Sequence, residues 1–380
     1  MQNNNIIFII IFIIIFIIIF IIIITFIYNI QNSEKYKALK RLCNLSNKTL
    51  DIYFDSYNII FSNNEILSTL DDYNINKPPT GFVASIDGKA SEYTAQCYNI
   101  LKDLCALGNV KKMYVSKCID KNASIIQNQL LHEKEIAENL MVKPYETLLE
   151  IGCGCGRITD YISKLTNCTI YGINIDESQL DDARNHAELT GNNKLNFVFC
   201  DCNDRLPFGD NMFDGIYTVQ GLITWMTDQK KVFKELYRVL KPGGKIVITD
   251  AVLLDNFDRN NQHHMDIMSR ARQVMHGGTY LHYKYIESIA KDVGFIVNKS
   301  KGGEPPNEAH ELPLILKENK HYNKIEYFIN LLTRLHIIPS YMPKLIKRLR
   351  YGINDWIELL EKNLLTTVWE FILEKPQKIS

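Results

Sequence analysis

The chain has 380 residues, in which 43 Lys and Arg balance 43 Asp and Glu. That length holds one full α/β domain with a large core plus flanking elements, which excludes a peptide-sized module. The balanced charge removes the global field that draws a protein to nucleic acid, so no nucleic-acid partner is expected.

The first predicted element is an apolar run. Ile6 to Ile24 holds only Ile and Phe, and the run continues past Thr25 to Tyr28. A helix of this length, at about 1.5 Å per residue, crosses roughly 30 Å of hydrocarbon; a buried core helix is the alternative. A cleaved signal peptide would want a basic start, a shorter apolar stretch and a small-x-small site, none of which is found. Residues 1–30 are therefore read as a retained single-pass membrane anchor. Met-Gln-Asn-Asn-Asn precedes the run, whereas Lys35, Lys37, Lys40 and Arg41 follow it. The positive-inside rule then places the body in the cytosol, with the endoplasmic reticulum as the expected membrane.

Residues 31–125 are polar and broken by Lys77-Pro78-Pro79-Thr80-Gly81, a turn or linker signal. No role is read for them. A helical stretch then reaches Leu140, and up to about residue 300 apolar strands alternate with amphipathic helices. Strands are predicted near Thr147–Ile151, Thr169–Ile175, Asn196–Cys200, Gly215–Val219 and Lys245–Thr249, with helices near 157–166, 177–190 and 228–240. Such alternation predicts a doubly wound α/β fold over 126–300, with a mostly parallel sheet and helices on both faces. Leu240-Lys241-Pro242-Gly243-Gly244-Lys245 reads as a turn returning into the fifth strand. Gly302-Gly303-Glu304-Pro305-Pro306 marks a break before a C-terminal segment, 301–380, with helices and an added edge strand at Val368 to Leu373. Within it, Leu345 to Tyr351 mixes apolar and basic residues; a packed helix with a solvated basic face is weighed against one lying on an anionic membrane.

Nine cysteines, an odd number, sit in the body of the chain and fit reduced thiols. Cys153 with Cys155, and Cys200 with Cys202, form Cys-x-Cys pairs that could hold a metal. Each pair falls in a segment with another explanation, so no metal is expected.

The sharpest signal is Leu148-Leu149-Glu150-Ile151-Gly152-Cys153-Gly154-Cys155-Gly156, a strand running into a glycine turn that opens a helix. Glycine there lets backbone approach a ligand closely. The dinucleotide fingerprint needs a glycine at position 157, where this chain has Arg, which argues against a nicotinamide cofactor. Glu150, near the strand end, is placed to meet a ligand amino group or the amides of the turn. The second strand ends at Asn174 and Asp176, about twenty residues on, where a polar side chain bonds ribose hydroxyls. Asn174 is the first choice; Asp176 also reads as the cap of the next helix. Asp201, after the third strand, is suited to an adenine amino group. The fourth strand finishes at Thr218-Val219-Gln220, again at the crevice.

Together these residues resemble the class I S-adenosylmethionine-dependent methyltransferases across roughly 125 to 300. The resemblance implies a seven-stranded-type sheet and S-adenosylmethionine as methyl donor. Gly152, Gly154 and Gly156 would surround its methionine part, Asn174 its ribose, and Asp201 and Cys202 its adenine. A narrower likeness lies in Gly172-Ile173-Asn174-Ile175-Asp176-Glu177-Ser178-Gln179, in Asp255 to His264 and in Met342 to Pro376, which look like stretches of sterol C-methyltransferases. It implies a sterol or related lipid as acceptor. Two departures bear on which atom is methylated: Leu104 to Lys117 lacks the aromatic Trp-Gly motif of the side-chain enzymes. Where those enzymes carry an acidic residue and a nearby His, this chain reads Gln220-Gly221-Leu222-Ile223-Thr224-Trp225. A phospholipid headgroup, another small molecule, or a silent scaffold with the same fold are the alternatives.

Methyl transfer from a sulfonium is an in-line displacement that needs alignment and exclusion of water. At a carbon acceptor, aromatic faces would stabilise a cation and a His or carboxylate would remove a proton. The candidates are Gln220, Tyr217, Trp225, His264, His276, Tyr280 and Tyr283, with His264 favoured by the family likeness.

Overall fold

The computed structural model describes residues 33–59, 90–108, 110, 112–302 and 310–377. The predicted anchor over 6–28 and the Lys77 to Gly81 turn lie outside these residues, as does most of the Gly302 to Pro306 break. Among the described residues, no helix is long and apolar enough to cross a membrane.

Three helices come first: α1 (Glu34–Cys43), α2 (Asn47–Tyr57) and α3 (Ala90–Leu107). The side chains of Ser33 and Ser46 cap α1 and α2 by accepting from the amides of Tyr36 and Thr49. Next, α4 (Ile125–Leu140) opens with a full capping box, Ser124 with Gln127. The α/β body follows as β1 (Thr147–Ile151), α5 (Arg157–Thr166), β2 (Thr169–Asn174), α6 (Glu177–Thr190), β3 (Leu195–Phe199), β4 (Phe213–Val219), α7 (Gln229–Val239) and β5 (Leu240–Leu253). A single 3₁₀ turn, Ile223–Trp225, sits after β4. The chain closes with α8 (Gln262–Met275), α9 (Tyr283–Val293), β6 (Ile296–Lys301), α10 (Leu312–Arg334), α11 (Met342–Leu349), α12 (Ile353–Glu361) and β7 (Leu365–Glu374).

The seven strands form one sheet in the order β3-β2-β1-β4-β5-β7-β6. β1 to β5 run parallel, while β7 is antiparallel to both β5 and β6. Helices cover both faces, so the central strands are apolar on both sides. Leu149, Ile216, Ile246 and Ile248 pack under α7 and α9, whereas Leu148, Tyr217 and Val247 pack under α4 and α5. From β1 the strand order runs outward in opposite directions. That reversal opens a crevice at the carboxyl ends of β1 and β4, where ligands of such sheets bind.

Two sequence expectations change. The C-terminal strand was expected at an edge; it lies between β5 and β6, and of its ten residues all but Glu374 are buried. Its run of apolar residues on both faces suits an interior strand. The true edge is β6, whose Ile296, Asn298 and Lys301 are exposed and whose lysines blunt the open edge. Leu240 to Lys245 is not a free turn either. Leu240 pairs with Phe213 and Lys245 with Gly215, with a register shift between them, so the motif is the irregular start of β5. A Cβ on Gly244 would stand 2.7 Å from the Asp214 carbonyl oxygen, which explains glycine there.

The segment without a predicted role packs against the C-terminal one. Leu42, Tyr53, Tyr57, Leu101 and Leu104 share a core with Met342, Leu345, Ile346 and Leu349. Arg41 bridges to Asp103 at 2.6 Å, and Tyr341 donates its hydroxyl to the Leu42 carbonyl at 2.9 Å. Leu345 to Tyr351 therefore belongs to a packed helix, with Arg348 laid over the Tyr57 ring at 4.1 Å.

Candidate active site

The glycine turn forms because β1 must hand over to α5 while its main chain stays close to β2. Gly152, Gly154 and Gly156 all have left-handed backbone, with φ of 73°, 52° and 70°. The amides of Gly152 and Cys153 both donate to the Ile173 carbonyl, at 2.9 and 3.0 Å. A Cβ on Gly156 would stand 2.8 Å from the Phe197 ring and 2.9 Å from Ala183, so this glycine serves packing behind the turn.

In front of the turn lies a first cavity. Gly152, Gly154, Asn174, Asp176, Asp201, Cys202, Gln220 and Trp225 all line it, which brings together most of the predicted cofactor set. The Asn174 Nδ2 is buried with no hydrogen-bond partner among the described residues. An unsatisfied donor at the end of β2 fits the ribose oxygens of a nucleoside. Asp176 is more committed. Its carboxylate accepts from the amides of Ser178 and Gln179, at 2.9 and 3.3 Å, and from the Gln179 side chain at 2.9 Å. It is the cap of α6 as well as part of the wall. Asp201 accepts from the Asn203 amide at 2.9 Å, which orients it at the end of β3.

Four expectations are corrected. Glu150 lines neither cavity. It is 1% exposed and accepts from the Thr159 hydroxyl at 2.5 Å and the Tyr217 hydroxyl at 2.9 Å. Register explains this: Glu150 pairs with Tyr217 across β1 and β4, on the sheet face that α5 covers. Burial pushes its carboxyl up to about 7, against the lowering effect of the two hydroxyls. Tyr217 is likewise fully buried beneath the turn and cannot touch a substrate. His264 lies on the surface at the start of α8, where its Nδ1 accepts from the Asp258 amide at 3.1 Å. Tyr283, stacked on Trp369 at 4.3 Å with its hydroxyl on Asp255, also lies outside both cavities.

A second cavity adjoins the first. Tyr98, Met113, Tyr114 and Gln220 line both and form the wall between them. Gln220 has left-handed backbone, φ 53°, and its side-chain amide donates to the carbonyls of Val115 and Thr367 at 2.8 and 2.7 Å. Its Oε1 accepts from the Val115 amide at 3.2 Å, so Gln220 is a structural partition rather than a proton carrier. Tyr114 is pinned beside it by the Glu133 carboxylate at 2.7 Å.

The second cavity is mainly apolar, with Leu101, Val115, Ile125, Met275 and Ile315 among its walls. It also holds His276 and Tyr280, two predicted candidates, and Asp250, which sequence reading missed. Asp250 ends the exposed-to-ligand part of β5 and accepts from the amides of Leu222, Ile223 and Ala251, at 3.1, 2.8 and 2.8 Å. Burial raises its carboxyl to about 6. Burial lowers His276 to about 4, so it is neutral at neutral pH. A carboxylate ending an apolar strand was a readable signal for Asp250. None marked Tyr98 or Tyr114, which come from segments outside the alternating pattern. Among the described residues, no cluster of His, Cys, Asp or Glu has the geometry of a metal site, and all nine cysteines are free.

Fold and glycine turn define a class I methyltransferase-type domain, and residues 149–248 match the family described as a methyltransferase domain. The chain is similar to sterol C-methyltransferases. It is 29% identical to the 24-methylenesterol C-methyltransferase 2 of Arabidopsis thaliana over 58% of this chain and 61% of that one. It is 32% identical to the sterol 24-C-methyltransferase of Pneumocystis carinii over 46% of each. The chain thus spans less than two thirds of the length of either relative. Among solved structures, the [4+2]-cyclase SpnF superposes with a TM-score of 0.61 at 19% identity, over 76% of this chain and 97% of that one. The cyclopropane synthase MmaA2 of Mycobacterium tuberculosis does so with 0.57 at 12%, over 70% and 91%. These likenesses support the fold.

Proposed function

We propose that the chain transfers the methyl group of S-adenosylmethionine to a sterol or related lipid, at carbon. One observation carries this reading: the first cavity, at the carboxyl ends of β1 to β4, meets a mainly apolar second cavity across a shared wall that holds Tyr98 and Tyr114. The similarity to sterol C-methyltransferases supports the same acceptor class. A phosphate-bearing headgroup has less support. The terminal nitrogens of Arg350, the basic side chain on the second cavity, already bond Glu326, Asn319 and Asn323, which leaves one buried N–H, its Nε, against a mainly apolar wall.

The glycine turn admits the cofactor's methionine end, Asn174 Nδ2 donates to a ribose oxygen, and Asp201 with Cys202 borders the adenine. When bound there, the sulfonium supplies an electrophilic methyl group. The protein aligns the acceptor and excludes water, since the cavity is roofed by α3, α10 and α12. Tyr98, Tyr114 and Tyr280 offer ring faces to a developing cation. Asp250, held by three amides and ionised at neutral pH, takes the proton that carbon methylation releases; His276 is the second candidate. Helices α1 to α3 and α10 to α12 together serve as the acceptor-binding layer over the 126–300 domain. The run from Ile6 to Tyr28 anchors that assembly to a membrane, with the body on the cytosolic side.

Calorimetry of S-adenosylmethionine, with a Gly154→Arg variant, tests the cofactor half. Micromolar binding that the variant loses is expected. Labelled-methyl product analysis with sterols tests the acceptor half; binding without turnover on any sterol or lipid would sink it.

A further inference from the structure

The wall of the second cavity that the first does not share has a polar corner. Leu314, Ile315, Glu318 and Tyr322 line it from α10, spaced three and four apart and so on one helix face. Glu318 is the carboxyl on that face. Its Oε2 is buried with no hydrogen-bond partner among the described residues, and burial raises its carboxyl despite Lys317 and Lys35. Arg350, which lines the same cavity, turns its terminal nitrogens to Glu326, Asn319 and Asn323, while its Nε is buried with no hydrogen-bond partner among the described residues. From α12, which packs against α10, Trp356 also lines the cavity, and its Nε1 is buried without a partner among the described residues.

The residues lining this apolar cavity thus include an unsatisfied acceptor, Glu318 Oε2, and unsatisfied donors at Trp356 Nε1 and Arg350 Nε, among the described residues. Folded proteins rarely leave such atoms unmatched, and a site that awaits a ligand is one reason they do. The chemistry narrows the ligand. A hydroxyl has one O–H to give and lone pairs to receive with, so it can serve the acceptor and a donor together. An ammonium would satisfy Glu318 alone, and a carboxylate the donors alone while setting its charge against Glu318.

We propose that Glu318 and Trp356 recognise a hydroxyl group on the apolar acceptor, the alcohol donating to Glu318 Oε2 and accepting from Trp356 Nε1. The proposal rests on the apolar-acceptor reading above and adds its orientation. The hydroxyl end is held on the α10 and α12 wall, and the reacting carbon faces the partition at Gln220. The two residues determine specificity and take no part in the methyl transfer itself.

The test compares a sterol alcohol with its methyl ether, using the full chain as wild type, Glu318→Leu, Glu318→Gln and Trp356→Phe. Methyl transfer is followed with labelled donor, and cofactor affinity by calorimetry reports on the fold. Wild type is expected to favour the alcohol in kcat/KM by about a hundredfold or more, since a site built for a hydroxyl rejects the analogue without one. Glu318→Leu and Trp356→Phe should each cut that preference at least about tenfold, mainly through KM, while Glu318→Gln, which still accepts, keeps most of it. If Glu318→Leu fails to fold, Trp356→Phe decides, since it removes the indole N–H while keeping an aromatic ring in that core. Equal use of alcohol and ether by wild type, or an unchanged preference in folded variants, overturns the proposal and leaves the acceptor reading standing. Wild type that binds cofactor but neither binds nor methylates the alcohol overturns both.

Discussion

Asn174 and Glu150 stand at the ends of neighbouring strands beside the same glycine turn, yet the structure gives them opposite duties. Asn174 holds an unsatisfied donor in the first cavity, so Asn174→Ala should weaken S-adenosylmethionine binding about tenfold, the worth of one net hydrogen bond, and leave acceptor KM unchanged. Calorimetry and a steady-state assay check the two halves. Glu150 is a buried strut, and its carboxyl rises from an ordinary 4.5 to about 7 because burial disfavours the charge. Folded chains therefore keep a proton that unfolded chains have released across that window, and stability falls as pH rises through it. Asp250, raised to about 6, adds in the same direction. Glu133 pushes Glu150 further up and Lys112 pulls it down. Thermal melts from pH 5 to 8 should show the wild-type midpoint dropping more steeply than that of Glu150→Gln; parallel curves would remove Glu150 as the source. Sequence made both residues visible as polar groups at strand ends. It did not tell which face of β1 met the ligand, because that depends on how far α5 advances over the sheet before Thr159 closes on Glu150.

At the scale of elements, the alternation of short apolar runs with amphipathic stretches fixed the region from β1 to α7 closely; α5 and α6 occupy the predicted spans. Local pattern suffices there because each βα unit packs on its chain neighbour. It fails for β7, whose partners lie some 70 and 120 positions away and whose place between β5 and β6 no local signal marks. Phe371, fully buried in that strand against the α7 and α9 face, tests its weight. Phe371→Ala should cost about 3–5 kcal/mol in denaturant unfolding. An edge strand would tolerate the change far better. Arg41→Ala, in contrast, breaks an ion pair whose guanidinium side is half-exposed, and should cost under about 1 kcal/mol.

Over the whole molecule, the first cavity was legible and the second was not. The former rests largely on consecutive strand ends of one domain, with Tyr98 and Tyr114 added from outside it; the latter is closed by α3 and α10 to α12, segments more than two hundred residues apart that meet through Leu101, Leu104, Leu345 and Ile346. Leu345→Ala, by loosening that meeting, should raise acceptor KM several-fold while the cofactor Kd changes little, at a stability cost of about 2–5 kcal/mol. The proposed anchor belongs to the same scale. Membrane fractions washed with alkaline carbonate should retain the full chain and release a variant lacking residues 1–32, with cofactor affinity unaltered. Release of both would show that the apolar run does not hold the protein in the bilayer.

The position of β7 also bears on how the protein is made. Among the described residues, β6 pairs with no strand but β7, and β5 has its outer edge satisfied only by the same strand. During translation both edges wait until the C-terminal residues leave the ribosome, well after β1 to β4 can have paired. A nascent chain therefore displays two open strand edges, and in α3 an apolar face whose partners α10 and α11 are also late. Each is a natural target for a chaperone, and ribosome stalling before β7 has emerged should yield an aggregation-prone product rather than a working domain.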